Sequence, residues 1–412
     1  MEIATNLNNP RQLEKMYREN KAAFKAEFNR LYPELKHEQV AEFWHERLNF
    51  ENREISWGST RELSIAIVAA LVAGLLAQLP LLLGINPEDF YARNIGFIIF
   101  PILTAHFIRK NKLSIRKSLF VLLATLASLI YINQLPEIKN SDSILLACIH
   151  LPLLLWALLG FCYTGEAINK LQKRLEFLRY NGDLLIMSGL ILIAGVALSG
   201  ITMMLFSAIG YDIEKFYGDY IVVSGLAAIP VLGTYITQSN PQLVHKVSPV
   251  LAKLFSPLVL IMLLIYLSAI LYSGKNPYMD REFLMVFNLM LIGVMAIVLF
   301  SLAETSRQEY AKGGSMILFA LSLVTILVNG IALSAILFRI SAWGLTPNRL
   351  AVSGANLLML SNLCLIAYRL YRHFRHKAAI SEAAQSISLF LPLYFMWTVF
   401  VIFILPLLYS FK

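Results

Sequence analysis

Two groups of side chains in the C-terminal third combine types and spacings suited to holding a ligand. The first is the string Arg339-Ile-Ser-Ala-Trp343-Gly344-Leu345-Thr346-Pro347-Asn348-Arg349. Gly344 suits a chain reversal, Thr346 a helix N-cap and Pro347 the first helical position. Arg349 then falls in the first turn of a helix, where the dipole repels a cation, so something must compensate it. Arg339 and Arg349, with Thr346, Asn348 and the open N–H groups of that helix, form a candidate site for an anionic solute or a lipid phosphate. The competing reading pairs both arginines with acids such as Asp212, Glu214, Asp280 or Glu282, or extends them to lipid headgroups.

The second group is uncharged. Asn288, Asn329, Ser334, Asn356 and Asn362 all lie inside long apolar runs. An amide in hydrocarbon costs free energy unless it finds a partner, so the helices that carry these residues are expected to face one another. Gly330 and Ser334, four apart, would allow a close approach. The cluster reads either as polar glue between helices or as the lining of a permeation path.

Other chemistry is weakly represented. No G-x-x-x-x-G-K-[ST] loop and no G-x-G-x-x-G turn after a strand occurs, so no nucleotide cofactor is expected. His37-Glu38 and His45-Glu46 resemble the opening of a zinc-protease helix, but the residues four beyond each histidine are Ala41 and Asn49. His373 and His376 share a helical face, yet Arg372, Arg375 and Lys377 surround them and oppose a dication. No metal is expected. Cys148, Cys162 and Cys364 read as small buried hydrophobes. His106 and His150 read as makers of interhelical hydrogen bonds. Asp183 and Glu304 mark the ends of apolar runs, so no carboxylate is expected deep in a membrane, which disfavours an ion-coupled pump.

These groups are positioned by an unusually apolar chain. It is 58% hydrophobic and 15% charged, with a mean hydropathy of +0.64. A soluble protein of this length must still cover its surface with polar groups. The excess lies in runs over residues 63–410, each near the length that crosses hydrocarbon. The expected fold class is all-α, a polytopic transmembrane bundle of about eleven spans. They fall near 63–84, 93–108, 118–134, 144–163, 184–209, 220–238, 250–273, 283–303, 314–338, 350–371 and 387–409. The second and third are short, and Pro101 favours a kinked or re-entrant element there. The first run starts only near Leu63, so it is expected to remain as a span rather than to be cleaved. In the loop 164–183, Ile168, Leu171, Leu175 and Leu178 alternate with Lys170, Lys173, Arg174 and Arg179, which predicts a helix lying at the membrane interface.

Residues 1–62 are a different material, expected as a cytosolic amphipathic arm ahead of a membrane domain over 63–412. Asn9-Pro10 opens a helix. Leu13, Met16, Tyr17, Phe24, Phe28 and Leu31 recur at helical spacing up to a break at Pro33. A second helix sets Val40, Phe43, Trp44 and Leu48 on one face. Two such helices are too small to bury a core alone, so they are expected to dock on the membrane domain, the membrane surface or a protein partner.

Orientation follows from the basic residues. With the N-terminus inside, cytosolic loops hold seventeen Lys and Arg (Arg109 to Lys117, Lys170 to Arg179, Lys246 and Lys253, Arg307 and Lys312, Arg369 to Lys377). The opposite loops hold seven: Arg93, Lys139, Lys215, Lys275, Arg281, Arg339 and Arg349. This predicts the N-terminus in and the C-terminus out. The arm has ten basic and eleven acidic side chains, so the net charge of +9 belongs to the short cytosolic loops, where it meets anionic lipid headgroups. No contiguous basic surface with aromatics appears, which argues against a nucleic-acid partner.

The segments Pro10-Arg11-Gln12-Leu13-Glu14, Phe43-Trp44-His45-Glu46-Arg47-Leu48 and Trp343-Gly344-Leu345-Thr346-Pro347-Asn348-Arg349 resemble an uncharacterised family of bacterial polytopic membrane proteins. Its members carry a domain of unknown function, and this chain is most similar to the Bacteroidetes-type ones. The resemblance implies the cytoplasmic (inner) membrane of a bacterium and carries over no catalytic residue. Three functional classes stay open. A non-catalytic regulatory, scaffolding or sensing component fits best, ahead of a transporter or channel for a small or anionic solute, which the intramembrane prolines Pro101, Pro152, Pro230, Pro257 and Pro392 would suit. A membrane enzyme on a lipid-linked anionic substrate comes third, because no acid–base pair is visible.

Overall fold

The computed structural model describes residues 2–7, 9–19, 21–35, 37–50, 60–136, 141–167, 171–208, 212–240, 256–265, 267–268, 278–279, 281–305, 312–375 and 379–411. The elements among them are helices, in two units, Met1–Gly58 and Ser59–Lys412.

The first unit holds α1 (Glu2–Thr5), α2 (Pro10–Glu19), α3 (Lys21–Leu35) and α4 (Gln39–Phe50). Asn9 caps α2 as its type predicts, its Oδ1 accepting from the Gln12 N–H at 3.2 Å. Pro33 does not end α3, which runs on to Leu35; a proline this close to the C-terminus disturbs little of the helix. The apolar face that these helices share is covered within the unit. Leu13 and Phe28 are fully buried, and Phe24, Trp44 and Leu48 nearly so, within the unit itself. Ile3 and Leu7, ahead of α2, supply the apolar area that two helices alone lack. Tyr17 meets Phe24 and Trp44 edge-on at 5.8 and 5.7 Å, and Arg47 lies over the Trp44 ring at 4.7 Å.

The second unit holds α5 (Thr60–Ala77), α6 (Leu79–Leu83), α7 (Pro87–Lys110), α8 (Ile115–Gln134), α9 (Asp142–Thr164) and α10 (Leu171–Ala208). It continues with α11 (Glu214–Ser239), α12 (Ser256–Ile265), α13 (Arg281–Thr305), α14 (Lys312–Trp343), α15 (Pro347–Phe374) and α16 (Ile380–Leu408). Ten of these helices are long and apolar enough to cross a membrane. The chain therefore has a multi-pass membrane architecture. The expected span 250–273 is described only over α12 and two further helical residues, 267–268; the remainder lies outside the described residues. Large apolar side chains such as Leu71, Leu75, Ile193 and Leu289 face outward, as a lipid-facing surface requires.

Two apolar clusters organise this unit. One joins α5, α7, α8, α9 and α11, and the other α12 to α15 with the first turns of α16. Both draw on α10 and α16. Four expectations change here. The first span stops at Ala77, and Pro80 opens the separate short helix α6, which ends on Gly84 in the left-handed region at φ 65°. The second and third spans are 24 and 20 residues long, and α7 continues past Pro101 as one helix, so it is not re-entrant there. The interfacial helix is instead the first third of α10. Leu175, Phe177, Tyr180 and Asp183 are buried there together with Arg179, whereas Lys173 stays exposed. Cys148 and Cys162 are buried as expected, whereas Cys364 is exposed.

Candidate functional site

Helices α13, α14 and α15 bring three of the five uncharged polar candidates together, and a fourth, Asn362, pairs separately with α16. Asn356 on α15 donates from Nδ2 to Oδ1 of Asn288 on α13 at 2.6 Å. Asn288 in turn donates to the carbonyl of Leu284 at 2.7 Å. Asn329 on α14 donates to the backbone carbonyl of Asn356 at 3.2 Å. Further along α15, Asn362 donates to the hydroxyl of Tyr394 on α16 at 3.2 Å. Asn329, Asn356 and Asn362 are all at most 1% exposed, so these amides link helices inside the apolar cluster. Two acceptors are left over. Oδ1 of Asn329 and Oδ1 of Asn362 are buried without a hydrogen-bond partner among the described residues. An acceptor in that state costs about 1–3 kcal/mol.

Ser334 stands apart from the amides. It donates to the Ile331 carbonyl at 2.8 Å and lies 3.1 Å from the hydroxyl of Tyr278. The predicted close approach at Gly330 is not made, since a Cβ there would meet nothing within 4 Å. The close approach is on α15 instead. A Cβ on Gly354 would lie 2.0 Å from the indole of Trp397, so the missing side chain makes room for that ring.

The arginine string forms the turn from α14 to α15. Thr346 caps α15 as predicted, accepting from the Arg349 N–H at 3.3 Å. Arg349 donates from Nη1 to the carbonyls of Trp343 and Gly344, at 3.0 and 2.6 Å. These belong to the C-terminal end of α14, where the dipole favours a cation. One helix end thus compensates the charge that the next helix start repels. Arg339, 7% exposed, donates to the Tyr278 carbonyl at 3.0 Å, and its guanidinium and that of Arg349 each lie 5.8 Å from the Trp343 ring. Asn348 turns away and donates to Asp142, at the start of α9, at 2.6 Å. Among the acids weighed as partners, Asp280 and the side chain of Glu282 lie outside the described residues.

The same device recurs at Arg93, another basic residue on the expected outer side. It donates to the carbonyls of Ile132, Leu135 and Pro136, at 2.7, 2.8 and 2.5 Å, and so closes the end of α8. Two π-helical stretches are closed from outside as well. Such stretches shift the hydrogen-bond ladder and free carbonyls. Gln78 donates to the carbonyls of Asp219 and Tyr220 in the stretch Tyr217–Val222, and Tyr131 to that of Ile402 in Phe400–Ile404.

The structure adds a charged group that the sequence reading did not assemble. Arg179, Asp183 and Glu304 are 9%, 5% and 1% exposed. Arg179 donates to the carbonyl of Ala303, next to Glu304, at 2.7 Å. Asp183 follows Arg179 by one turn on the same face of α10. Its depth follows from its neighbours. Trp156, two turns before the end of α9, donates to Asn181 at 2.8 Å, and a Cβ on Gly182 would lie 1.9 Å from the ring of Phe300, just over a turn before the end of α13. At 1.5 Å per residue, Asp183 sits roughly 10 Å inside those helix ends. The carboxylates that mark the ends of apolar runs in the sequence are thus buried, which the sequence did not show. The signal available was an Arg and an Asp four apart at the head of an apolar run.

The histidines also differ from expectation. Nδ1 of His150 pairs with the Leu146 carbonyl of its own helix at 2.8 Å, not with a neighbouring helix. Nε2 of His106 is buried without a hydrogen-bond partner among the described residues. His373 lies in the last turn of α15, and its expected companion His376 lies outside the described residues. Among the described residues, no three His, Cys, Asp or Glu side chains stand where they could share a metal ion. Comparison with family models, curated proteins and solved structures finds no match for this chain.

Proposed function

We propose that this chain is a multi-pass protein of a bacterial cytoplasmic membrane, with its arm in the cytosol and its C-terminus outside. We propose further that it works there as a non-catalytic scaffolding, regulatory or sensing component. The resemblance to bacterial membrane proteins and the asymmetry of Lys and Arg support the location and orientation. One observation carries the functional reading. Several polar side chains within the apolar helices are used to join helices: Asn356 to Asn288, Asn94 and Asn133 to each other at 3.0 and 2.8 Å, and Arg93 and Arg349 to helix ends. Groups committed in this way brace a bundle and are not poised for acid–base or nucleophilic work.

A second reading, passage of a small solute that donates hydrogen bonds, is favoured by the left-over oxygens of Asn329 and Asn362. One pair of measurements separates the two. Impermeant thiol labelling of single cysteines introduced in the loops 111–114 and 344–346 reads the orientation. Flux of ammonium and small amines into proteoliposomes, with wild type and Asn329→Leu, reads transport. The bracing role predicts no protein-dependent flux. A flux that Asn329→Leu abolishes would sink it and establish the second reading.

A further inference from the structure

We propose that the turn between α7 and α8 binds the headgroup of an anionic phospholipid, whose acyl chains lie along the outer face of α8. Residues 109–117 include Arg109, Lys110, Lys112, Arg116 and Lys117 and no acid. The turn is fixed in place, since Asn111 donates from Nδ2 to the carbonyls of Cys162 and Tyr163, at the end of α9, at 2.9 and 2.8 Å. Two of the five cations are occupied by the protein itself. Lys117 pairs with Glu166 at 2.6 Å. Lys110 donates to the side chain of Gln238 on α11 and feels the charge of Glu62, at the start of α5. The other three, Arg109, Lys112 and Arg116, are exposed and make no hydrogen bond or ion pair with a described residue.

The fold does not need those three charges. Lys112 closes α7 in the left-handed region at φ 48°, its N–H returning to the Arg109 carbonyl and that of Leu113 to the Ile108 carbonyl. Glycine fits such a helix end without strain, and Arg109 and Lys110 already complement the dipole of α7 there. Arg116 lies in the first turn of α8, where the dipole repels it and no acidic residue offsets it. Leu119, Phe120 and Leu123 share its face at i+3, i+4 and i+7, and each is more than half exposed. The 20 residues of α8 span roughly 30 Å, the thickness of the hydrocarbon, which sets its first turn at headgroup level. A phospholipid matches both halves of this surface, with its phosphate at the cations and a chain along the leucines and Phe120. A soluble anion would match only the first half.

The full chain is titrated in neutral detergent with phosphatidylglycerol or phosphatidylcholine, and bound lipid is counted by native mass spectrometry. Phosphatidylglycerol is expected to be held on the order of tenfold more tightly than phosphatidylcholine. Lys112→Gly and Arg116→Gln should each weaken it on the order of fivefold. Lys215→Gln, the same loss of charge at the far end of α11 from Gln238, should leave it unchanged. Lys112→Gly gains a backbone suited to the turn, so its unfolding temperature without lipid should be no lower than that of the wild type, which separates lost lipid from lost fold. Arg116→Gln leaves the backbone of the turn alone and reads the same loss independently. Equal affinity for the two lipids overturns the proposal, as does full affinity in both turn variants or an equal loss in Lys215→Gln. Inorganic phosphate that displaces the lipid at equal concentration would reassign the turn to a soluble anion and overturn it too. Thiol labelling that places the turn outside would refute the orientation alone and leave a positive lipid result standing.

Discussion

Arg349 donates to the carbonyl of Gly344 at 2.6 Å, so the first turn of α15 is electrically tied to the last carbonyls of α14. A guanidinium reaches two carbonyls with fixed geometry, which an ammonium cannot reproduce. Arg349→Ala is expected to cost about 1–3 kcal/mol, read as a lower unfolding temperature in detergent. Arg349→Lys should recover only part of that loss. Full stability in Arg349→Ala would show that the carbonyl contacts carry no weight, and would return the side chain to the anion-site reading.

The amide relay makes a prediction of its own. Asn356 is bonded through both its side chain and its carbonyl, whereas Asn329 spends one amide hydrogen and keeps a buried unpaired oxygen. Asn356→Leu leaves Oδ1 of Asn288 without that donor and should cost about 1–2 kcal/mol. Asn329→Leu removes an unsatisfied acceptor along with one bond, so it should be close to neutral. A double-mutant cycle on Asn288 and Asn356 should give a coupling of about 0.5–1.5 kcal/mol. Zero coupling would mean that the 2.6 Å bond does not join α13 to α15.

Glycine substitutions separate real close approaches from apparent ones. At Gly182 and Gly354 a methyl group would collide with the rings of Phe300 and Trp397, at 1.9 and 2.0 Å. Alanine there should destabilise by about 1–3 kcal/mol or more, because both rings are packed and cannot withdraw cheaply. At Gly330 the same change meets open space, and better helix propensity should stabilise by about 0.5–1 kcal/mol. Thermal unfolding of the three variants side by side checks the order, and a destabilised Gly330→Ala contradicts it.

How far the sequence reached varies with the physics involved. Long apolar runs and the Thr346-Pro347 start were legible, because length and capping are local properties. The meeting of Asn288, Asn329 and Asn356 was legible in kind but not in detail, since the cost of a lone amide demands a partner without naming one. Gly330 misled because small residues permit close packing without requiring it. The loop before the fifth span misled for a different reason. Its alternation of leucines and basic residues suits an interface, and only the packing of Leu175 and Phe177 shows the helix continuing inward. The buried Arg179 and Asp183 followed from that same error of placement.

Acid should loosen the arm. Arg18, by its hydrogen bond, and then Arg47, by its charge, hold the Glu14 carboxyl below its ordinary value of 4.5. A carboxylate with a lowered folded value adds stability at pH above its unfolded value, and that contribution disappears as pH falls through the lowered one. The protection of the α2 and α4 amides, taken relative to intrinsic exchange at each pH, should therefore be constant at neutral pH and fall on acidification below the ordinary glutamate range. Glu14→Gln should remove most of this pH dependence while leaving the neutral-pH rate little changed, because the pair is solvent-exposed. An acid transition of the same size in Glu14→Gln would assign it to other carboxylates.

The buried charges of α10 give the largest expected effect. Arg179 is 9% exposed beside Asp183 at 5%, and it reaches the carbonyl next to Glu304, which is 1% exposed. Removing one charge from such a group leaves the others buried with poorer compensation, which costs about 3–5 kcal/mol. Arg179→Met keeps most of the side chain's volume, so a loss of that size would be electrostatic and not a packing defect. Asp183→Asn should be milder, because an amide retains hydrogen bonding without charge. Combining the two should cost less than the sum of the single changes if Arg179 and Asp183 share one field. Strict additivity would show that they act separately, and that burial of Asp183 is compensated from another side.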